Sequence, residues 1–285
     1  MASGERRVGH PLEQPPLDVP GLLRKFGLRP KKRLGQNFLI DQSALQRVIS
    51  AAELTAEDTI LEIGPGLGSL TRLLASQVKQ VIAVELDASL ISILKQVLEP
   101  LENVRLIQGD ILEIDPGTLA PSSGYLVVAN IPYYITSAVM RHLLEAEMRP
   151  RRMVLTVQRE VAQRICAVPG EMSLLALSVQ VYGHPEIVSR IPAGAFYPAP
   201  KVDSAVVRVE LYPEPVIPPD FLEPFFRLAR AGFNQKRKTL RNSCKGLFAA
   251  ETLQQDVFNK RAEQLTINDF ARLSFELYDP NSSSK

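Results

Sequence analysis

Thr59-Ile-Leu-Glu-Ile-Gly-Pro-Gly-Leu-Gly68 runs from an apolar stretch straight into three glycines, and Ser69-Leu-Thr-Arg-Leu-Leu-Ala-Ser76 continues with helical spacing. Residues 59–63 read as a strand and 67–76 as a helix. Glycine at the joint lets backbone approach a ligand closely while the first helical N–H groups point at a negative group. The same alternation extends outward. Residues 81–85, 104–108, 125–129 and 153–157 read as strands, and 88–96, 136–145 and 160–166 as helices. Upstream, 21–26 and 43–52 read as helices, the latter with Leu45, Val48 and Ile49 on one face. Strands alternating with helices imply an α/β fold, a mostly parallel sheet covered on both sides. Residues 204–211 alternate well enough for a late strand, antiparallel at or near an edge.

Tyr212-Pro-Glu-Pro-Val-Ile-Pro-Pro219 reads as a linker, and no clear strand follows it. Residues 220–231, 236–248, 252–258 and 268–277 read as helices, with Thr266 and Asp269 forming a near capping box for the last. The expected organisation is a Pro-rich disordered tail over 1–20, a Rossmann-like catalytic domain over 21–212 and a small all-helical domain over 213–285.

At 285 residues, 45% hydrophobic and 22% charged, the chain has ample material for a core. No apolar run approaches the roughly eighteen residues needed to cross a membrane, and the N-terminus lacks a signal-peptide core, so a cytoplasmic protein is expected. Cys166 and Cys244 have no CxxC partner, and His10, His142 and His184 are scattered, so no metal is expected. The net charge is only +2, yet residues 24–33 carry six basic residues and no acids, and residues 224–250 carry seven and again none. Such polarity is expected of a face that meets a polyanion.

Three acceptors follow the glycine loop. Gly64, Gly66 and Gly68 space their third glycine differently from the dinucleotide fingerprint. Glu85 stands 21 residues after Gly64, where an acid accepts hydrogen bonds from ribose hydroxyls. Asp110, in Gln108-Gly109-Asp110, can receive the amine of an adenine ring. The fourth feature is Asn130-Ile131-Pro132-Tyr133, directly after the apolar run 125–129. The N6 amine of adenine is a poor nucleophile because its lone pair is delocalised into the ring. The Asn130 side-chain oxygen and a backbone carbonyl of the Ile131-Pro132 turn could accept hydrogen bonds from it, and Tyr133 offers a flat face for an extruded base. A nicotinamide cofactor fits the first three elements but has no use for this turn. S-adenosylmethionine fits all four, and it brings its own activated methyl group.

These residues resemble the ribosomal RNA adenine N6,N6-dimethyltransferases, specifically the bacterial enzymes that dimethylate two adjacent adenosines near the 3′ end of 16S rRNA. The resemblance covers about residues 22–278. It rests on eight segments in order, 34–41, 62–71, 84–87, 108–110, 130–136, 157–164, 196–207 and 233–243. It implies that Asn37 and Leu39 line the cofactor pocket, Gly64 holds the methionine end, Glu85 the ribose and Asp110 the adenine. Asn130, with Pro132 and Tyr133, would meet cofactor and target amine, and Phe196 would contact the base or else sit in the core. The family's YGRLSV-like segment is replaced here by Met172-Ser-Leu-Leu-Ala-Leu-Ser-Val179, so an RNA contact there is not carried over. In the second basic stretch Lys236, Arg237, Lys238 and Arg241 are the candidate RNA contacts. On a helix, Lys238, Arg241 and Lys245 would share one face, and Phe233, Leu240, Cys244, Leu247 and Phe248 another.

The expectation is therefore a monomeric S-adenosylmethionine-dependent rRNA adenine dimethyltransferase acting on 16S rRNA or the small ribosomal subunit. The alternatives are a 23S rRNA dimethyltransferase of the macrolide-resistance type, a non-catalytic ribosome-assembly factor, and, most distantly, a nicotinamide-dependent oxidoreductase.

Overall fold

In the computed structural model, residues 15–120 and 124–277 are described. Nine strands occur in the order β1 (Phe38–Leu39), β2 (Thr59–Ile63), β3 (Gln80–Glu85), β4 (Val104–Gln108), β5 (Leu126–Asn130), β6 (Arg152–Gln158), β7 (Gly183–Ile191), β8 (Phe196–Tyr197) and β9 (Ser204–Leu211). Seven form one sheet in the order β4-β3-β2-β5-β6-β9-β7. The pairs β2/β3, β3/β4, β2/β5 and β5/β6 are parallel. The chain order reverses between β2 and β5, and an open sheet of this kind presents its ligand crevice at that switch, beyond the carboxyl ends of the strands.

The chain packs as two compact units. The first comprises Met1–Arg159 with Glu186–Val209, the second Glu160–Pro185 with Glu210–Lys285. Packing thus divides the chain differently from the linker near residue 212.

In the first unit, Ile60, Val81, Leu126, Val128 and Val154 share a core cluster with the helices Gln42–Ala52 and Ser69–Ala75. Their neighbours Leu61, Ile82 and Val127 are equally buried and point to the opposite face. Both faces are therefore covered, which is why these strands read as unbroken apolar runs. Asp41 and Asp87 cap the helices Gln42–Ala52 and Ala88–Leu98 through their side chains. The strand expected over 204–211 is β9, one strand in from the edge formed by β7, which the sequence reading missed. The antiparallel pair β1/β8 was also missed, because two-residue strands have no periodicity to read. The first helix is Val19–Lys25, beginning inside the segment assigned to the tail. Residues 1–14 of that tail assignment lie outside the described residues.

In the second unit a 16-residue helix, Pro219–Asn234, packs Phe225 and Leu228 into a buried cluster with Phe270 and Leu273 of the helix Ile267–Phe275. Thr266 and Asp269 cap the latter reciprocally, in a full capping box. The segment from Glu160 joins this unit because the Gly170 and Met172 N–H groups both donate to the Glu263 carbonyl. A helix over 236–248 does not form. Pro219–Asn234 ends first, and only Leu240–Ser243 is helical again. Leu240 is buried and its N–H donates to the Lys260 carbonyl, so tertiary pairing takes a donor that a continuous helix would need. Residues 252–258, likewise expected as a helix, form two short 3₁₀ turns. No described helix is long and apolar enough to cross a membrane.

Candidate active site

The β2 strand delivers Gly64 and Gly66 into left-handed backbone, with φ of 69° and 63°. A Cβ on Gly66 would lie 2.8 Å from Phe38, so only glycine lets the loop pass beneath β1. At the end of β3 the Glu85 carboxylate is 6% exposed and accepts the Gly66 N–H at 3.1 Å and the Asp87 N–H at 2.8 Å. Burial, with the Asp87 charge adding, holds it above the usual carboxylate range. Glu62, in the β2 strand itself, is fully buried and pushed up to about 8 by burial, with the Glu85 charge adding. Asp110 follows β4 and accepts the Leu112 N–H at 2.9 Å.

At the end of β5 the Asn130 Nδ2 donates to the Asn37 carbonyl at 3.0 Å, which leaves its Oδ1 as the acceptor. Pro132 sets the turn, and its own carbonyl is taken by the Ile135 N–H at 3.1 Å. The Tyr133 hydroxyl is bonded to Ser204 Oγ at 2.7 Å, which holds the ring, and burial raises its pKa.

A single cavity is lined by Asn37, Gly64, Glu85, Asp110, Asn130, Pro132 and Tyr133. Leu39 is not among its lining residues, since its side chain packs in the core. Phe196, paired with Leu39 in the β1/β8 ladder, is 3% exposed and belongs to the same core cluster. Its ring packs in the core and is not among the residues that line the cavity. Sequence reasoning overlooked Lys31, Gln36 and Asp87. Asp87 is 4% exposed and receives Lys31 Nζ at 2.6 Å and Gln36 Nε2 at 2.7 Å. Burial pushes its carboxyl up, but hydrogen bonds from Lys31, Ser89 and Gln36 outweigh this and hold it at about 2. Asp87 stands where a helix N-cap belongs and closes segment 84–87, Gln36 lies in segment 34–41 and Lys31 in the first basic stretch, but no local pattern joins the three.

The cavity lining contains two carboxylates and no Lys or Arg. Acceptors without cations suit a ligand rich in donors and positively charged, and an adenosine bearing a sulfonium meets both conditions.

In the second unit Lys236, Arg237 and Lys238 are exposed. Arg241 is half-buried and its Nε donates to the Leu253 carbonyl at 3.1 Å, so part of this guanidinium braces the fold.

A doubly covered parallel sheet, a glycine loop after β2 and acceptors at the ends of β3, β4 and β5 define a Rossmann-like methyltransferase fold with an adenosine-type pocket. The chain belongs to the ribosomal RNA adenine dimethylase family, which matches residues 27–279. It is 45% identical over 265 residues to a ribosomal RNA small subunit methyltransferase A of Dehalococcoides mccartyi, covering 90% of this chain and 91% of that protein. A protein of the same description from Moorella thermoacetica is 41% identical over 89% of this chain and 94% of its own. Among solved structures, a dimethyladenosine transferase from Plasmodium falciparum superposes with a TM-score of 0.73 at 28% identity, covering 84% of this chain and 96% of that one. The 23S rRNA methyltransferase ErmE gives 0.68, also at 28% identity, with 85% and 99% covered.

Proposed function

We propose that this protein transfers methyl groups from S-adenosylmethionine to N6 of two adjacent adenosines in the 3′-terminal hairpin of 16S rRNA, dimethylating both. It acts as a cytoplasmic monomer on the small ribosomal subunit and takes part in its biogenesis. The observation that carries this reading is the Asn130 amide, fixed by the Asn37 carbonyl in the wall of a cavity that also presents Glu85 and Asp110. The curated relatives that share about two-fifths of its residues over most of its length favour the small subunit over 23S rRNA.

Bound S-adenosylmethionine supplies a methyl group already activated on sulfur. Glu85 would accept the ribose hydroxyls and Asp110 the adenine amine, while Gly64 would give backbone access to the methionine end. The Asn130 Oδ1 and the Ile131 carbonyl accept the two N–H groups of the target amine. This turns the amine's lone pair out of conjugation with the ring and towards the methyl group. Tyr133, its hydroxyl held by Ser204, stacks on the extruded base and excludes water. Lys236, Arg237 and Lys238, with what remains free of Arg241, contact phosphates. These contacts give affinity and orientation without reading sequence.

The test is incubation with labelled S-adenosylmethionine and small subunits lacking the modification, with the label mapped by nuclease digestion and mass spectrometry. Dimethyladenosine at two adjacent positions near the 16S 3′ end is expected. Label confined to 23S rRNA would move the assignment to that substrate, and tight subunit binding without label would leave an assembly factor.

A further inference from the structure

Residues 34–38 line the cavity, and Lys31 and Asp87, which do not line it, fix the start of the segment that carries them. A 3₁₀ turn, Lys32–Leu34, closes on Gly35, whose φ is 60°. A Cβ at Gly35 would lie 3.3 Å from both Pro132 and the Tyr134 ring, so this strap presses against the Asn130–Tyr133 turn. Four hydrogen bonds anchor it. Lys31 Nζ reaches Asp87 Oδ1 at 2.6 Å and Ser89 Oγ at 2.8 Å, Gln36 Nε2 reaches Asp87 Oδ2 at 2.7 Å, and the Lys31 N–H donates to Gln36 Oε1 at 2.8 Å. Beyond this anchor comes Asn37, whose carbonyl accepts the Asn130 amide. The Asp87 backbone N–H meanwhile donates to Glu85.

We propose that Asp87 and Lys31 are positioning residues for methyl transfer: the ion pair between the buried Asp87 carboxylate and the half-buried Lys31 ammonium holds the strap 31–38 in place and thereby fixes the Asn37 carbonyl that orients Asn130. The inference rests on the reading of this cavity as a methyltransferase site. Neither residue lines the cavity, so neither touches cofactor or base. Asp87 has the reach because one side chain joins three elements. It caps the helix Ala88–Leu98, ties down the strap, and sits two residues after Glu85. A carboxylate at 4% exposure that has accepted a lysine and an amide is a rigid anchor, because leaving the buried carboxylate without these donors is costly. The same clamp then serves two purposes, cofactor retention through the strap and orientation of the acceptor through Asn37.

The test uses the full-length protein with Lys31→Met, Lys31→Arg and Asp87→Asn, plus the Lys31→Met/Asp87→Asn double variant. Asn is itself a good helix cap, so Asp87→Asn removes the charge while sparing the helix. Lys31→Met is expected to weaken S-adenosylmethionine binding by about tenfold, read by calorimetry without RNA. It should also lower kcat several-fold at saturating cofactor, speed backbone hydrogen exchange in 32–38, and leave exchange in β2 to β6 unchanged. Lys31→Arg should restore most of both parameters. The double variant should lose little more than either single change, because both break one interaction. Wild-type cofactor affinity and kcat in Lys31→Met would overturn the proposal. So would faster exchange across the whole sheet, which would make the pair a general brace. Exchange on the cofactor-free protein tests the clamp independently. A wild type that failed to bind S-adenosylmethionine would defeat the functional reading, whereas exchange would still decide whether the pair holds the strap.

Discussion

In the first unit Asn130, Glu85 and Asp110 each already hold a backbone partner, at 3.0, 2.8 and 2.9 Å respectively, before any ligand arrives. In the second unit Lys236, Arg237 and Lys238 stand exposed on the turn after a helix end. On the proposed function the two regions serve different physical ends. Aligning an amine with an electrophile requires groups fixed to a fraction of an ångström, so the acceptors sit at strand ends where ladder hydrogen bonds hold them. Attracting a polyanion requires charge density, and long mobile side chains supply it without a fixed geometry. Substitutions in the first region should therefore act on turnover and cofactor affinity, and those in the second on salt-dependent RNA binding.

The sharpest way to break this contrast is Asn130→Ala. It should lower kcat by about a hundredfold to a thousandfold, the usual cost of losing one preorganised polar group, while RNA affinity in a gel-shift assay stays near wild type. Equal losses in both would mean the regions are not separable. Glu85→Gln comes next, with cofactor affinity expected to fall by about tenfold to a hundredfold in calorimetry. Because burial raises the Glu85 pKa and only the carboxylate is a full acceptor, wild-type affinity should weaken on acidification at a pH above that of an ordinary glutamate. Affinity that stayed flat down to the ordinary glutamate range would remove Glu85 from the ribose site.

Glu62→Gln tests burial without function. The folded-state pKa of Glu62, about 8, lies above its unfolded value of 4.5, so the protonated acid is the stable form in the fold. Its contribution is fully present below the unfolded value and is lost as pH rises through the folded one. The melting temperature of Glu62→Gln, measured against wild type, should therefore climb between about pH 5 and 8 and level off above, for a gain on the order of a few kcal/mol. A constant difference across that window would show that Glu62 is ionised in the fold. The smallest effect belongs to Lys238→Ala. It should weaken RNA binding modestly and flatten the log–log salt dependence by about 0.7 if the contacted RNA is single-stranded, with kcat unchanged. An unchanged slope would place the RNA surface elsewhere.

The inner sheet was legible because strands buried on both faces, such as β3 and β5, leave apolar runs, while β4 and β9 were read from shorter or alternating patterns and have the bounds expected of them. The cavity residues at the ends of β2 to β5 were legible for a related reason, since each closes such a run with a glycine, an acid or an amide. Where packing competes with local pattern, the pattern misled. The basic, amphipathic spacing of 236–248 reads as a helix, yet Leu240 pairs its N–H with Lys260 and the helix breaks. Phe196 read as either a base contact or a core residue, a choice local pattern does not make, and in the fold it lies in the core cluster paired with Leu39.

The sequence by itself determined the α/β alternation, the acceptor set at the strand ends and the gathering of basic residues into two acid-free stretches. These follow from residue type and short-range spacing, where hydrophobic period and turn chemistry dominate. Only the tertiary structure decided that Glu160–Pro185 packs with the C-terminal helices, and that Lys31 and Gln36 meet Asp87 across more than fifty residues of sequence. It also decided that Asn37 orients Asn130 across 93. Such contacts depend on which chain segments the folded sheet brings together, and no local propensity encodes that.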